Sequence, residues 1–303
     1  MKALIIDGNS LFHRAFHATS TQFNKETKKW ESIMPFFEKN NIKPNNATKL
    51  CLFWFLSIVK KNSYDYFITC WDCGLITKRS LINKEYKANR VHMPEEMRVQ
   101  INDVKEIIEI LGGTNLAIAG IEADDIGGTL TKIFNEKNIK VDLYSSDKDW
   151  MQLINKDSEL ILVKNGGEKN WVRINEENFK EKTLFPFLPC SIIDFKVLFG
   201  DSSDNYKGPL GEKTTLDLLE KYQSIENIKR NLAYLPNSIQ TKLNDFFNNK
   251  EKCEIAFQMA KIDEDIREVS KDICLYTKKE INFKELNQFI NKFNFKGFEK
   301  HLN

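Results

Sequence analysis

Short β-rich runs alternate with helical patterns through about the first 185 residues, and this alternation limits the class of fold. The predicted strands are, in chain order, Ala3–Ile6, Tyr66–Trp71, Leu116–Ala119, Val141–Ser145 and Leu160–Val163. Helices are predicted between them, most clearly at Pro94–Leu111, which opens at a proline and stops before two glycines, and at Ala123–Asn135. Strands and helices in this order predict an α/β fold, in which a mostly parallel sheet is covered by helices on both faces.

The strand patterns end after about residue 185, and helical patterns follow. The predicted helices are Ser191–Phe199, Thr214–Tyr222, Ile239–Phe247 and Cys253–Lys261. This change predicts two domains, an α/β core over residues 1–185 and a helical region over residues 186–303, with a boundary near Leu184–Pro189. The Lys- and Asn-rich segment Thr21–Asn46 has weak periodicity and is predicted to be a mobile insertion or a marginal helix.

Acidic residues follow four of the predicted strands. Seven carboxylates share this placement: Asp7, Asp72, Glu122, Asp124, Asp125, Asp147 and Asp149. Because the carboxyl ends of parallel strands line one crevice of an open sheet, we expect these side chains to lie together. So many like charges repel one another unless cations neutralise them, and Mg²⁺ prefers carboxylate oxygens. Two such ions held close together stabilise both the attacking and the leaving oxygen of a phosphoryl displacement.

Each acid taken alone has a structural explanation. Aspartate at a helix N-terminus caps free amides, and aspartate after a strand is common in turns. Four strands that all end in acids for unrelated reasons are a much rarer arrangement, so the group predicts a divalent-metal centre. Two other patterns are assigned to packing: Cys70 and Cys73 lack the second pair that zinc needs, and His13 and His17 lack a third ligand.

Basic residues dominate residues 73–93, a segment that we call the basic gateway. Its cations are Lys78, Arg79, Lys84, Lys87 and Arg90. If the segment is helical, then Arg79, Asn83, Tyr86, Lys87 and Arg90 fall near one face. Cations around an aromatic ring suit a frayed or single-stranded DNA end, because the charges bind phosphates and the ring stacks on a base. A solvated basic helix is the alternative that this segment alone leaves open.

Six motifs resemble the bacterial 5′–3′ exonuclease family, meaning the 5′ nuclease domain of DNA polymerase I and its stand-alone relatives, which are related to phage 5′ nucleases and flap endonucleases. The motifs are Ile6–Ala18, Tyr86–Arg90, Gly120–Asp125, Ser146–Asp149, Gly200–Asn205 and Gly211–Thr214. They stand in family order and run nearly from end to end of the chain. The resemblance implies a PIN-like α/β nuclease core, with a mostly parallel sheet flanked by helices, and a C-terminal helical region that binds DNA through a helix–hairpin–helix.

The resemblance also implies roles for individual residues. It adds two acids from the helical region to the seven at strand ends, Asp201 and Asp204. It assigns one metal ion to Asp7, Asp72, Glu122 and Asp124, with Asp125 close by, and a second to Asp147, Asp149, Asp201 and Asp204. In this family Lys87 and Arg90 would contact the scissile phosphate and Tyr86 would stack on a terminal base, while Arg79 matches a basic position that precedes them.

The helical hairpin departs from the family pattern. The linker Tyr206–Leu210 is shorter than in the family, and Pro209 replaces a glycine whose backbone amide faces a phosphate. Proline has no amide hydrogen to donate, so the potassium ion that the family binds there and the strength of duplex binding are left open. The helix N-terminus that carries Gly211, Lys213 and Thr214 can still bind one phosphate.

The charge balance suits a protein that binds a polyanion. Removing the nine acids leaves 34 of the 43 Asp and Glu residues against 45 Lys and Arg. The chain opens without a basic region followed by a long apolar run, and its six cysteines are scattered, which favours the cytoplasm. The apolar run Leu50–Val59 is about half of what a membrane span requires and predicts a buried helix.

These observations predict a stand-alone 5′–3′ exonuclease with structure-specific flap endonuclease activity, which hydrolyses DNA with two Mg²⁺ or Mn²⁺ ions. We expect it to act on 5′ ends, 5′ flaps and RNA–DNA primers in replication and repair, as a monomer with a functional link to a DNA polymerase. Two alternatives remain open. One is a DNA-binding protein of the same fold that cleaves poorly or not at all, and the other is a metal-dependent ribonuclease of the related small fold.

Overall fold

The structure, a computed structural model, describes residues 1–74, 76–83, 86–87, 92–164, 168–202 and 204–298. Its strands are β1 (Lys2–Asp7), β2 (Thr21–Asn24), β3 (Lys29–Ser32), β4 (Tyr66–Trp71), β5 (Thr114–Ala117), β6 (Lys140–Ser145), β7 (Ser158–Leu162), β8 (Val172–Ile174), β9 (Gly200–Asp201) and β10 (Tyr206–Lys207). Six of them form one sheet in the order β5-β4-β1-β6-β7-β8, in which every neighbouring pair is parallel except β7 and β8. Strand β4 is buried along its whole length, as expected for a parallel strand covered on both faces.

The α-helices are α1 (Gly8–Thr19), α2 (Met34–Lys39), α3 (Asn46–Lys61), α4 (Lys78–Ile82), α5 (Glu95–Arg98), α6 (Ile101–Ile110), α7 (Ala123–Glu136), α8 (Phe179–Thr183), α9 (Ile192–Phe199), α10 (Glu212–Tyr222), α11 (Ile225–Arg230), α12 (Asn237–Asn248), α13 (Lys250–Ala260) and α14 (Phe283–Lys292). Because side chains alternate along β1, Ala3 and Ile5 face the apolar core that contains α7, and Leu4 and Ile6 face the core of α1 and α3. The predicted α/β class with a mostly parallel sheet is therefore confirmed.

Helices α9 to α13 add their buried side chains to the same core as α7. They correspond to the four helices predicted after residue 185, together with the short helix α11 between them. Since one continuous core joins the two parts, the division of the chain at residue 185 stays a prediction.

Two predicted elements are shifted or divided. Strand β5 lies two residues before its predicted position, and Pro94–Leu111 forms two helices, α5 and α6, instead of one. The break occurs at Gln100, whose Nε2 donates to the Glu96 carbonyl at 2.8 Å, the acceptor that a continuous helix would offer to the Gln100 amide. That amide bonds to Met97 instead. The Gln100 Oε1 accepts the amides of Ala47 and Thr48, so the break caps the start of α3.

The segment Thr21–Asn46, predicted to be a mobile insertion or a marginal helix, contains two strands as well as a short helix. It forms an antiparallel hairpin of β2 and β3, followed by the short helix α2. Phe23 and Trp30 pair across the hairpin with ring centroids 5.7 Å apart, and Asn24 donates to Glu31. Cross-strand pairs of this kind stabilise a hairpin, and helical periodicity does not detect them.

The apolar run Leu50–Val59 lies inside α3, where Leu52, Phe55 and Ile58 are buried. Among the described residues, no helix is both long enough and apolar enough to cross a membrane. The run contributes to the core beneath the sheet, as predicted.

Candidate active site

The carboxyl edge of the sheet holds the acids that strand ends were expected to supply. Asp7 is the last residue of β1, Asp72 directly follows β4, and Asp147 lies two residues beyond β6. Strand β1 pairs with both β4 and β6, so these three acids lie on adjacent strands. Glu122 precedes the first residue of α7, the helix that follows β5, and Asp124 and Asp125 lie in its first turn.

The first carboxylate group, which we define as Asp7, Asp72, Glu122 and Asp124, is fixed by hydrogen bonds between neighbouring elements. The Asp7 carboxylate accepts the Ser10 amide at 2.9 Å and the Ser145 hydroxyl at 2.7 Å. The Asp72 carboxylate accepts the Asn9 side-chain amide and, at 2.8 Å, the backbone amide of Ala123. The ends of β1 and β4 are thereby tied to α1, β6 and α7.

Burial changes the protonation of this group. Burial raises the pKa of Asp7 to about 7, and the nearby charges of Asp147 and Asp72 add to the rise, while the hydrogen bonds from Ser10 and Ser145 oppose it. Burial also raises the pKa of Asp124, although Arg79 and Lys87 act in the opposite direction. A cation bound here would remove the cause of both shifts, because it would compensate the buried charge.

Glu122 is the point at which the basic gateway meets the first carboxylate group. Its Oε2 accepts the Tyr86 hydroxyl at 2.8 Å and the Lys87 Nζ at 2.7 Å, and lies 3.2 Å from the Arg79 guanidinium. The Thr77 hydroxyl donates to its Oε1. Burial alone would raise the pKa of Glu122, but Lys87 and Arg79 outweigh burial and lower the pKa to about 2. Glu122 is therefore held as a carboxylate by the gateway.

The second carboxylate group, which we define as Asp147, Asp149, Asp201 and Asp204, joins the sheet to the helical region. One carboxylate oxygen from each of Asp149, Asp201 and Asp204 lies within 4.8 Å of the others, the spacing of a possible metal site among the described residues. Asp147 stands beside them, since its carboxylate accepts the Asp149 amide at 2.9 Å. Burial raises the pKa of Asp204 to about 6, although Lys196 opposes the rise.

A two-stranded turn brings the last two of these acids to the site. Strand β9 pairs with β10, and Asp201 lies opposite Tyr206. Gly200 has a φ of 108°, and a Cβ atom there would lie 2.5 Å from the Tyr206 carbonyl oxygen, so only glycine fits. The glycine allows the chain to leave α9 and turn Asp201 back toward the sheet.

Lys196 was not identified from the sequence, although it occupies the centre of the second group. Its Nζ lies 2.5 Å from Asp149 and 3.0 Å from Asp201, and its side chain is 9% exposed. Burial alone would lower the pKa of Lys196, but the two aspartates raise it above the ordinary value. The signal in the sequence is a lysine in an otherwise apolar part of α9, five residues before Asp201.

The basic gateway differs from the continuous helix that was predicted. Among its described residues, helix is confined to α4, which Thr77 caps and which ends at Asn83, where the backbone is extended. Arg79 and Tyr86 are buried, and Lys87 has a φ of 55°, so the described side chains do not line one face of a helix. Lys84, predicted to bind DNA, and Arg90, predicted to contact the scissile phosphate, lie outside the described residues.

The helical hairpin presents its N-terminus to solvent. Gly211 precedes α10, Gly211 and Lys213 are exposed, and Thr214 is half-buried. On either side of Pro209, the amides of Gly208 and Leu210 donate to Phe199 and Leu198, respectively. Leu210 itself is buried, so the short linker is packed onto the end of α9.

Comparison with known proteins identifies the family. A sequence model described as "5'-3' exonuclease, N-terminal resolvase-like domain" matches residues 2–184, and one described as "5'-3' exonuclease, C-terminal SAM fold" matches residues 187–282. The chain belongs to the 5′–3′ exonuclease family. It is 36% identical to the 5′–3′ exonuclease of Mycoplasma genitalium, over 96% of this chain and 95% of that one, and 34% identical to that of Bacillus subtilis, over 82% and 80%.

Other members and solved structures agree with this assignment. DNA polymerase I of Lactococcus lactis is 31% identical over 99% of this chain, which corresponds to 33% of the polymerase. A structure of T5 5′-exonuclease with bound zinc has a TM-score of 0.63 at 19% identity, covering 97% of this chain and 98% of that one. The catalytic core of Rad2 in complex with DNA has a TM-score of 0.55 at 14% identity, covering 99% and 90%. The predicted family, fold and nuclease class are confirmed.

Proposed function

We propose that this protein is a structure-specific 5′ nuclease that hydrolyses phosphodiester bonds of DNA at 5′ ends and 5′ flaps with two divalent cations. The observation that carries the proposal is the convergence of the two carboxylate groups on one edge of the sheet, where three aspartate oxygens already lie within 4.8 Å of one another. Family membership supports the reaction, and the arrangement of acids supports the cofactor.

The donor set fits Mg²⁺ or Mn²⁺. The candidate ligands are all carboxylates, without a thiolate or an imidazole among them, and hard cations such as these prefer oxygen. Asp7, Asp72, Glu122 and Asp124 would hold one ion, and Asp147, Asp149, Asp201 and Asp204 the other. When bound, the ions would make a water molecule more acidic and stabilise negative charge on the phosphate and the leaving oxygen.

The gateway would supply further positive charge to the phosphate. Lys87 Nζ lies 2.7 Å from Glu122, so it stands beside the first group and could neutralise charge on a phosphate that enters there. Arg90 is assigned the same role on the family pattern. Tyr86 is buried, with its hydroxyl on Glu122, so we infer that this part of the gateway rearranges before the ring stacks on a terminal base.

The helical region would hold the duplex beside the cut. The exposed N-terminus of α10 offers free backbone amides at Gly211 and Thr214 and the cation of Lys213. Potassium binding in this hairpin is not part of the proposal, because Pro209 removes one backbone donor. We propose that 5′ flaps and RNA–DNA primers are the cellular substrates, that the protein acts as a cytoplasmic monomer, and that its work is linked to a DNA polymerase.

A 5′-flap duplex labelled at both ends of the flapped strand tests the proposal. We expect cleavage near the junction with Mg²⁺ or Mn²⁺, release of short products from the 5′ end, and no product with a chelator. The same substrate with an RNA flap is assayed in parallel. Binding of the flap without cleavage in either metal would favour a DNA-binding protein of this fold, and cleavage restricted to RNA would favour a ribonuclease. Either result would overturn the proposal.

A further inference from the structure

The guanidinium of Arg79 is buried among acids, and its shortest contacts are with one of them. Its two terminal nitrogens donate to both oxygens of Asp125, Nη2 at 2.7 Å and Nη1 at 3.0 Å. Nη2 also donates to the Lys261 carbonyl at 3.0 Å, and the residue is only 5% exposed. A bidentate contact of this kind fixes both side chains in one orientation. Arg79 is therefore not available to a DNA phosphate in this conformation.

Asp125 is committed in the same way, unlike its neighbour Asp124. Besides Arg79, it accepts the Asp263 amide at 2.8 Å, and its side chain is 7% exposed. The Asp124 side chain is 22% exposed, and its contact with the Arg79 guanidinium is longer, at 3.5 Å. Both oxygens of Asp125 already accept hydrogen bonds from Arg79 or from the Asp263 amide, so an ion could bind them only by displacing those donors. These two consecutive acids therefore have different environments on one helix turn.

The pair connects three parts of the chain that are distant in sequence. Arg79 belongs to α4 in the basic gateway, Asp125 to α7 of the core, and Lys261 follows α13 of the helical region. Two further contacts strengthen the connection. Lys78 Nζ lies 2.8 Å from Asp263, and the Thr129 hydroxyl accepts the Ile266 amide. The start of the gateway is thus attached both to the core and to the helical region.

We propose that Arg79 and Asp125 form a positioning pair, which sets the start of the basic gateway so that Lys87 and Tyr86 reach Glu122, and that neither residue binds DNA or metal. This inference rests on the proposed function, since its purpose is to place Lys87 beside the first carboxylate group. It removes Arg79 from the DNA-contacting residues and Asp125 from the metal-holding ones. It also predicts that the two residues act on cleavage as one unit.

Metal binding separates this proposal from a metal-ligand role for Asp125. Mn²⁺ is titrated into the full chain without DNA, and bound ion is measured by electron paramagnetic resonance. We expect Asp125→Asn to keep the wild-type affinity within the error of the titration, while Asp124→Asn, the matched change one residue away, weakens it by about tenfold or more. Loss of affinity in Asp125→Asn equal to that in Asp124→Asn would overturn the proposal.

Salt dependence separates it from a DNA-contacting role for Arg79. Removing one phosphate contact reduces the slope of log affinity against log salt by about 1. We expect Arg79→Gln to leave this slope unchanged for flap DNA in chelator, whereas Lys213→Gln, on the exposed N-terminus of α10, reduces it. A reduced slope in Arg79→Gln would show a phosphate contact and contradict the proposal. Neither this measurement nor the metal titration requires turnover, so both stay informative if the nuclease function itself fails.

Cleavage tests whether the two residues act together. Each single variant should lower kcat by about tenfold to a hundredfold through a displaced Lys87, with KM little changed. The double variant should lose no more than the worse single one, because both changes break the same contact. Losses that multiply would contradict the proposal. An unpaired buried charge can unfold the chain, so Arg79→Lys is measured as a second variant. Lysine keeps the positive charge but cannot form the bidentate contact. We expect Arg79→Lys to keep the fold, the metal affinity and the salt slope, and to lower kcat.

Discussion

The two carboxylate groups are compensated by positive charges of different origin. In the first group, Glu122 receives its cations from the basic gateway, where Lys87 lies 2.7 Å away and Arg79 3.2 Å away. In the second group, Asp149 and Asp201 receive theirs from Lys196, which is fixed in α9. The charge of the first group therefore depends on the basic gateway, whereas the charge of the second depends on α9 of the helical region.

This difference bears on how the entry of DNA would affect the cations of each group. If Lys87 and Tyr86 contact an entering DNA end as proposed, they exchange Glu122 for the substrate, so the cations around the first group would move with the gateway. Lys196 has a side chain that is 9% exposed and belongs to α9, so its place beside the second group does not depend on the gateway. On the proposed function, the cations of the first group would change partners when substrate enters, and the cation of the second group would not.

The largest expected effect comes from removing one acid from each group. We expect Asp124→Asn and Asp147→Asn each to slow single-turnover cleavage of a 5′ flap by about a thousandfold, because each ion contributes several kcal/mol to stabilising the charge of the transition state. Asp245→Asn, an exposed acid on α12, is the control and should cleave normally. If both site variants kept full cleavage, the assignment of either group to a metal ion would be wrong. If only one variant lost activity, only the carboxylate group that contains it would be required for cleavage.

The sequence allowed the strand-end acids to be placed, because β-rich runs locate the strands and parallel strands share an edge. Asp7 and Asp72 follow directly from this rule. The partners of these acids could not be placed, since Arg79 meets the Lys261 carbonyl 182 residues further along the chain. Which face of α9 carries Lys196 against Asp149 depends in the same way on packing between distant segments. Local pattern therefore predicts where charges gather, and tertiary contacts decide what compensates them.

The secondary structure of the gateway and of the β2–β3 hairpin was not predicted correctly, because in each segment a local feature overrides the pattern of the sequence. The capping box at Thr77 starts a helix, and the extended backbone at Asn83 ends it after little more than one turn; asparagine is common at helix ends, but one such residue does not locate the end of a helix by itself. In the hairpin, Phe23 and Trp30 stabilise strands that a Lys- and Asn-rich composition does not suggest. Both segments lie at the surface of the core, where periodicity is weakest.

A smaller effect is expected on stability when the fixed cation is removed. In chelator, Lys196→Met should lower the free energy of unfolding by about 2 kcal/mol, because Asp149 and Asp201 lose their shared cation while remaining partly exposed. Lys87→Met should cost less, since Glu122 keeps Arg79 and the hydroxyls of Tyr86 and Thr77. Added Mn²⁺ should then raise the melting temperature of Lys196→Met more than that of the wild type, because Lys196 no longer competes for the carboxylates.

Thermal melting with and without Mn²⁺ checks this ranking. Lys132→Met is the matched control, because Lys132 lies 3.7 Å from Asp265 with both side chains exposed, and its loss should change stability little. If Lys196→Met and Lys87→Met lowered the stability equally, the distinction between a fixed cation and a gateway-dependent cation would be wrong.

The last expected effect is a pH dependence of stability that divides the two groups. Burial raises the pKa of Asp7 to about 7 and that of Asp204 to about 6, both from 3.8. The folded state then binds these protons more tightly than the unfolded state, so their contribution to stability is complete below about pH 4 and is lost as the pH rises through each folded pKa. Each group contributes a slope of at most about 1.4 kcal/mol per pH unit in chelator.

Urea unfolding between pH 5 and 8, in chelator, separates the two contributions. Asp204→Asn should flatten the decline in stability up to about pH 6, and Asp7→Asn should flatten it up to about pH 7, because asparagine holds each position neutral at every pH. Glu122 does not contribute in this range, since its pKa is lowered to about 2 and its own loss of stability begins only in acid. If Asp7→Asn kept the wild-type slope between pH 6 and 7, burial would not raise the pKa of Asp7. The cations of the gateway would then have to stabilise the charge of Asp7 as well as that of Glu122.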